Sequence, residues 1–216
     1  VVFERYADDA VVHCDSEEQA RRVLADIAER MTQVGLALHP DKTRLLEFGR
    51  FAAANRKRRG LGKPETFTFL GFTFICGRSR QGKFLLCRKT RRDRMRAKLK
   101  EIKEELRRRL HQPIPEQGRW LRQVVTGFFN YHAVPTNGRA LVAFRSHVET
   151  LWWRSLRRRS QRGTTPWLRM RKLVDDWLPK PRTLHPWPSV RFAVRHPRWE
   201  PYAGVPHVRF CAGGTQ

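Results

Sequence analysis

Two adjacent carboxylates near the start of the chain are suited to binding a divalent metal. Asp8 and Asp9 follow Tyr6 and Ala7, and apolar runs at 1–3 and 10–12 flank this tetrapeptide. Strands on either side would hold a hairpin tip rigid, and hard divalent ions bound to phosphate prefer such oxygen ligands. The pattern therefore raises the hypothesis of a magnesium-dependent nucleotidyl-transfer site. The alternative is a solvated turn, since Asp is a common turn former.

The charge distribution indicates a polyanionic partner. The 216 residues carry 45 Lys and Arg against 20 Asp and Glu, a formal net charge of +25. Residues 1–54 contain 7 basic and 10 acidic groups, whereas residues 88–162 contain 21 basic and 6 acidic groups. Because this excess has one sign and is concentrated, phosphate contact explains it better than a solvated face. The acidic catalytic candidate thus precedes a basic arm.

Other features narrow the class of protein. No apolar stretch approaches the roughly 18–20 residues that a membrane-spanning helix needs, and no signal peptide is visible. The four cysteines are too scattered for a zinc ribbon and are typical of reduced thiols in a cytosolic protein. We therefore expect a cytoplasmic location and no membrane partner. The chain opens with Val1, so we also expect a fragment.

The elements around the Asp pair predict an α+β arrangement. Ser16 and Gln19 form a capping-box pattern ahead of a helix whose apolar residues recur on one face as far as Val34, and Gly35 ends it. A short strand at 36–38, a turn at 39–42 and a strand at 43–48 follow. The predicted order is strand, strand, helix, strand, strand, with the helix packed on one face of an antiparallel sheet.

Helices dominate the second half of the predicted structure. A basic loop at 51–64 precedes an alternating strand at 66–75, which turns and returns at 83–87. Helical periodicity at 91–111, 116–130 and 137–159 predicts three helices that bundle through their apolar faces. A short helix is predicted at 167–177, and the last 35 residues read as irregular.

Four segments, in this order, resemble the bacterial group II intron reverse transcriptase and maturase family. The segments are Tyr6-Ala7-Asp8-Asp9, Gly35-Leu36-Ala37-Leu38 with Lys42-Thr43, Phe69-Leu70-Gly71-Phe72, and Gly127-Phe128-Phe129-Asn130-Tyr131. In the last segment the family more often has Trp at the second position. The resemblance implies a partial polymerase palm over 1–87, a mainly helical thumb and maturase domain over 88–162, and a Pro/Trp/Arg-rich C-terminal extension over 163–216.

The resemblance also implies what the chain lacks. The family's fingers, and a palm strand that supplies a further metal-binding aspartate, precede the Asp pair and do not fit into five residues. An upstream palm and fingers fragment is therefore a candidate partner, and we expect the isolated chain to be inactive. Neither paired cysteines nor a His-Asn-His arrangement indicates the family's optional nuclease domain.

The resemblance implies RNA-directed DNA polymerase activity and a role for named residues. Asp8 and Asp9 would help to hold two Mg²⁺ ions about 4 Å apart, completed by a carboxylate outside this chain. Lys42 would neutralise or protonate the departing pyrophosphate. Phe69, Leu70, Gly71 and Phe72 would seat the primer end, although core packing is the other reading of these alternating residues.

Basic residues are the candidate contacts for intron RNA, for an RNA template with its DNA primer, and for dNTPs. They form three groups: Arg56, Lys57, Arg58 and Arg59; Arg91, Arg92, Arg94, Arg96 and Lys98; and Arg157, Arg158 and Arg159. Two alternatives remain open. The chain could be a non-catalytic maturase remnant that aids RNA splicing, or a general basic RNA-binding or ribosome-associated protein in which the Asp pair is accidental.

Overall fold

The computed structural model describes residues 2–159, 166–187 and 190, together with the backbone of a strand at 208–212. The described residues form two compact units. Unit 1 contains residues 2–87 and the strand at 208–212, and unit 2 contains residues 88–159 and 166–187. The expected α+β class is confirmed, since two small antiparallel sheets accompany the helices.

The described strands and helices follow one another along the chain in this order: β1 (Val2–Tyr6), β2 (Asp9–Cys14), α1 (Glu17–Gln33), β3 (Arg44–Glu47), α2 (Ala52–Arg58), β4 (Phe67–Phe69), β5 (Phe72–Arg78), β6 (Phe84–Thr90), α3 (Arg92–Arg108), α4 (Ile114–His132), α5 (Gly138–Arg157), α6 (Trp167–Trp177) and β7 (Val208–Ala212). One sheet has the strand order β1-β2-β7-β3, and the other has the order β4-β5-β6.

Helix α1 begins and ends where its sequence predicts. The backbone N–H of Gln19 donates to Ser16 Oγ (3.1 Å), and the side chain of Gln19 reaches back to accept from the backbone N–H of Asp15 (2.7 Å), one residue before the N-cap, in a variant of the capping box. At the other end Gly35 has φ 72°, and the N–H of Leu36 donates to the carbonyl of Met31. This is a Schellman motif, which requires the left-handed backbone that glycine adopts without strain.

The first sheet is covered on both faces within unit 1. On one face Val12 and Cys14 pack with Ala20 of α1 and with the half-buried Val23 and Leu24. On the other face Val11 and Leu46 pack with three aromatic residues that lie outside this sheet, Phe48, Phe67 and Phe69. Because side chains alternate along a strand, Asp9 shares the face of Val11.

Several expected elements of unit 1 were wrong. Residues 36–38 form no strand, because the chain leaves the Schellman motif directly for a turn in which the N–H groups of Lys42 and Thr43 donate to the carbonyl of His39. The expected loop at 51–64 contains helix α2, which follows from three consecutive alanines at 52–54. The expected strand at 66–75 is two strands joined by a tight turn at Leu70 and Gly71.

Unit 2 is built on helices that match the predicted bundle, with α3, α4 and α5 packed around a single apolar cluster. The predicted helix at 167–177 is confirmed as α6. Pro115, which was expected only to interrupt a helix, lies in the first turn of α4, where its missing N–H costs no hydrogen bond. The expectation that the last 35 residues are irregular was wrong at 208–212, where β7 pairs with β2 and β3.

Helices α3 and α5 run side by side in the same direction. At their starts the backbone N–H of Thr90 donates to Asn137 Oδ1 (3.0 Å), and Asn137 Nδ2 donates to Thr90 Oγ1 (2.8 Å). At their ends Ser155 Oγ donates to the carbonyl of Leu106 (3.4 Å).

In the part of the chain that the structure describes, none of the helices α1 to α6 is long and apolar enough to cross a membrane.

Candidate catalytic turn and nucleic-acid surfaces

The Asp pair lies at the tip of a two-residue hairpin. Strands β1 and β2 are antiparallel with Tyr6 opposite Asp9, so Ala7 and Asp8 form the loop. Ala7 has φ 50°, the positive φ at the first loop position that both common two-residue hairpin turns require. Arg5 Nε donates to the carbonyl of Ala7 (3.0 Å) and braces the turn. Asp8 is exposed and Asp9 is half-buried, so both can reach a ligand from solvent.

The donor chemistry of this turn fits magnesium only in part. Two neighbouring carboxylates supply the hard oxygen ligands that Mg²⁺ prefers. Over residues 2–159 and 166–187, however, no cluster of three or more His, Cys, Asp or Glu side chains forms a metal-binding set. The turn by itself could supply only part of a coordination shell, and a further ligand would have to come from outside the described side chains.

Lys42 and the Asp pair lie toward the same end of the strands of the first sheet. Strands β2 and β3 are each antiparallel to β7, so they run in the same direction, and Val11 and Arg44 both lie opposite Cys211. Lys42 precedes Arg44 by the same two residues by which Asp9 precedes Val11. Val11 and Arg44 are thus level, two strand spacings or about 10 Å apart in the backbone, and Lys42 lies in the turn just before β3 begins. Lys42 itself is half-buried in the turn that leads into β3.

The Phe69-Leu70-Gly71-Phe72 segment forms a second tight hairpin. Phe69 pairs with Phe72, and both loop residues have positive φ, 47° at Leu70 and 73° at Gly71, which is the pattern of a type I′ turn. Phe69 and Phe72 are buried, and Phe69 packs in the cluster that contains Val11. Core packing therefore accounts for the two Phe side chains and in part for Leu70, which is half-buried against the same cluster, whereas Gly71 leaves the turn open to close approach.

The first basic group lies on and just after α2, where its members are partly neutralised. Arg59 forms an ion pair with Glu47, and Arg56 lies 3.9 Å from Glu65 and donates to the carbonyl of Gly62. Lys57 and Arg58 are exposed, and Arg58 donates to Asn55. Three of these residues line a cleft of about 640 Å³ whose walls also carry Asp15, Glu17, Glu47 and Glu65. The cleft therefore has mixed charge.

The second basic group surrounds the start of α3. Arg91 forms an ion pair with Asp93 (2.5 Å), and this hydrogen bond lowers the pKa of the Asp93 carboxyl. Lys98 pairs with Glu101 at 2.8 Å. Arg92, Arg94 and Arg96 are exposed, and among the described side chains none of them forms an ion pair. These three arginines are the members of the group that are most available to phosphate.

The third basic group lies at the opposite end of the helix pair. Arg157 and Arg158 are exposed, whereas Arg159 is half-buried and donates to the carbonyl of Gln112 (2.5 Å). Burial lowers the pKa of the Arg159 guanidinium. Because α3 and α5 are co-directional, this group is separated from Arg92 by roughly 20 Å, the length of α3 from Arg92 to Leu106. The structure therefore divides the basic arm into two surfaces.

Sequence reasoning missed the aromatic residues beside the third group. The rings of Trp153 and Trp167 meet edge to face with centroids 5.4 Å apart, and Arg157 Cζ lies 4.8 Å from the centre of the Trp153 ring. The charge count drew attention to the arginines alone. The signal that could have found the aromatic partners was the Trp content of the segment, with Trp at 152, 153 and 167.

Comparison with known proteins agrees with the hairpin geometry in unit 1. Residues 1–74 match the family model described as reverse transcriptase (RNA-dependent DNA polymerase). This part of the chain is therefore similar to a reverse transcriptase domain. The match includes the Asp8-Asp9 turn, Lys42 and the tight turn at Leu70 and Gly71. No curated protein matches the chain.

Proposed function

We propose that this chain is part of a bacterial group II intron-type reverse transcriptase that also acts as an intron RNA maturase in the cytoplasm. The observation that carries the proposal is the exposed Asp8-Asp9 hairpin tip within a segment that matches the reverse transcriptase family. The Gly127–Tyr131 segment, which resembles the maturase thumb signature, supports the finer assignment. Its Phe128 and Phe129 are buried in unit 2, and Tyr131 is exposed.

The proposed reaction is templated nucleotidyl transfer, in which a primer 3′ hydroxyl attacks the α-phosphate of a dNTP and pyrophosphate leaves. Asp8 is the principal carboxylate of this turn and Asp9 its auxiliary, and together with a carboxylate from elsewhere they would hold Mg²⁺. Bound Mg²⁺ supplies charge stabilisation at the attacking and leaving oxygens. Lys42, which reaches the same sheet edge, would neutralise the departing pyrophosphate or donate a proton to it.

The remaining partners follow from the positions of the other candidate residues. Leu70 and Gly71 would support the primer end, because a glycine lets the nucleic-acid backbone approach closely. The exposed arginines around α3 and at the end of α5 would contact phosphates of the template, the primer and the intron RNA. An upstream palm and fingers fragment would supply the carboxylate that completes the metal site.

A second candidate function is splicing assistance without polymerisation. It is favoured by the exposed arginines of unit 2 at Arg92, Arg94, Arg96, Arg157 and Arg158, which could contact RNA without any part of the metal-binding turn. In this reading the chain binds and stabilises folded intron RNA, and Asp8 has no role. The two candidates make opposite predictions for substitution at the Asp pair.

Asp8→Asn in the protein encoded by the complete reading frame separates the two functions. We expect the substitution to abolish extension of a DNA primer on an RNA template, because the amide removes a negatively charged ligand at almost unchanged size. Affinity for the intron RNA should stay within a few-fold. Primer extension is measured on gels with Mg²⁺ and all four dNTPs, and RNA affinity is measured by filter binding.

Asp26→Asn is the matched control, since Asp26 is an exposed carboxylate on α1 of the same unit. It should leave both extension and RNA binding unchanged. Extension that survives Asp8→Asn would contradict the catalytic assignment. Two results together would favour the second candidate. The wild type would not extend the primer, and intron splicing would be lost only when exposed arginines are replaced.

A further inference from the structure

The end of α5 and the start of α6 form an exposed surface that combines aromatic rings with arginines. Trp167 is 47% exposed, and its edge-to-face contact with Trp153 covers at most one face of its ring. Arg157 lies over the Trp153 ring as a cation–π partner. We call Trp153, Arg157 and Trp167 the Trp–Arg patch. An exposed tryptophan face is costly to leave in water, so the patch is suited to stacking against a planar ligand.

The described charged residues closest to the patch along the chain are all basic. Residues 150–159 and 166–174 contain seven basic residues and no acidic residue. Arg154 and Arg158 are exposed on α5, and neither they nor Arg157 pairs with a carboxylate among the described side chains. At the start of α3, Arg91 and Lys98 have carboxylate partners, whereas Arg92, Arg94 and Arg96 have none among the described side chains. The electrostatic potential at the patch should therefore be positive, since none of the described carboxylates pairs with Arg154, Arg157 or Arg158.

We infer that the Trp–Arg patch binds unpaired nucleotides of a nucleic acid by stacking a base on Trp167 while neighbouring arginines contact the flanking phosphates. The inference rests on the proposed function and deepens it, because it separates a base-stacking site from surfaces that contact only phosphate. Every base has a π face that can stack on an aromatic ring, whereas paired bases inside a duplex are stacked on one another and are inaccessible. The patch therefore distinguishes single strands from duplexes.

Duplex contact alone would not require this arrangement. Arginines suffice to contact phosphates, and a duplex gains nothing from an exposed indole ring. The neighbouring residue of α6, Leu168, is 71% exposed and provides an internal comparison, since it offers apolar surface without a π system. If the patch served only as an apolar contact, Leu168 would contribute as much as Trp167.

Fluorescence anisotropy with labelled 12-nucleotide RNA and DNA single strands, and with a duplex of the same sequence, tests the inference on the full chain. Trp167→Leu keeps an apolar side chain but removes the ring, and we expect single-strand affinity to fall about 5-fold or more. Trp167→Phe should stay within about 3-fold of the wild type, since it keeps a π face. Duplex affinity should be unchanged in both variants, and Leu168→Ala should change neither affinity.

Several outcomes would overturn the inference. Equal losses for single strand and duplex would show that Trp167 acts through fold or charge, and no loss for either would exclude stacking. A Leu168→Ala loss as large as that of Trp167→Leu would indicate a simple apolar contact. Binding to anionic phospholipid vesicles that depends on Trp167, without any effect on single strands, would assign the patch to a membrane surface. Should the wild type bind no nucleic acid at all, the proposed function itself would fail.

Discussion

Units 1 and 2 differ in how their cores are packed and in where their candidate functional residues lie. In unit 1 the described core consists of small clusters on the two faces of a sheet, and the candidate catalytic groups lie on turns at its edge. All five residues of β1 are exposed. In unit 2 fifteen of the described buried residues form one cluster, and the buried side chains of Gln117, Trp152 and Asn137 are hydrogen-bonded. Unit 1 thus presents reactive side chains on short elements, whereas unit 2 provides a rigid support for exposed arginines.

We therefore expect substitutions in the two units to have different effects on stability. A turn can lose a carboxylate without losing its fold, since Asp8 is exposed and contributes little to burial. A helix in the unit 2 cluster cannot lose a large side chain without leaving a cavity. Three predictions on stability, from the largest effect to the smallest, test this comparison. Hydrogen exchange read peptide by peptide is the suitable measurement, because a chain of two units need not unfold in a single step.

Trp152→Ala should destabilise unit 2 by about 3–5 kcal/mol. Trp152 is fully buried, and its Nε1 donates to Oε1 of the equally buried Gln117 (2.9 Å), which in turn donates to the carbonyl of Arg109. The substitution therefore removes a large apolar contact and leaves a buried amide without its donor. Exchange protection in α4 and α5 reports the loss.

Trp187→Ala is the control for this substitution. Trp187 is 48% exposed, so its removal leaves no closed cavity and should destabilise unit 2 clearly less than Trp152→Ala does. Comparable losses in both variants would mean that the unit 2 cluster is not the source of its stability, and the contrast between the units would break down.

Unit 2 should lose stability in mild acid through His132. This residue is buried, with its ring tilted by 38° against that of Phe128, and burial lowers its pKa from 6.5 to about 4. Since the folded pKa lies below the unfolded one, protonation favours the unfolded state. The stabilising contribution is complete above about pH 6.5 and is lost as pH falls toward 4, by on the order of 2 kcal/mol.

Denaturant midpoints measured between pH 7 and pH 4 check this prediction. His132→Gln, which cannot titrate in this range, should show a flatter pH dependence than the wild type, although its stability at pH 7 is lower. A wild-type curve with the same slope as His132→Gln would show that carboxylates elsewhere govern acid unfolding.

The smallest effect is expected at the start of α1 in unit 1. Ser16→Ala removes the acceptor for the backbone N–H of Gln19 and should cost about 1 kcal/mol, whereas Ser16→Gly should cost only a few tenths. Exchange protection should fall in the first turns of α1 and remain unchanged in unit 2. An equal loss of protection in α4 or α5 would show that the two units unfold together.

The sequence predicted those elements whose signals are local. The capping box at Ser16, the glycine stop at Gly35 and the apolar faces of α3 to α6 each lie within a few residues of the helix that they define. Arg56 to Arg59 were expected in a loop because their charge was considered without the three preceding alanines. Gly60, with φ 69°, is the helix stop that would have corrected this expectation.

What could not be predicted depends on pairing between distant segments. The alternating residues of 66–75 predict one continuous strand and give no indication of the turn at Leu70. Leucine is an unusual residue at positive φ, so its presence does not predict a turn. Likewise, the sequence alone could not predict that Asp9 and Lys42 lie toward the same end of the first sheet. Their strands are brought together by β7, which pairs between β2 and β3 and is nearly two hundred residues away from β2. The division of the basic residues between the two ends of α3 is tertiary information of the same kind.

The co-directional arrangement of α3 and α5 has an electrostatic consequence beyond the side-chain charges. Peptide dipoles in two parallel helices point the same way, so the partial positive charges of both N-termini coincide at the end marked by Thr90 and Asn137. Arg92 and Arg94 add full charges to that end. The field felt by an approaching phosphate there should therefore exceed what a count of arginines suggests, and should be weaker at the opposite end, where backbone carbonyls oppose the guanidinium groups.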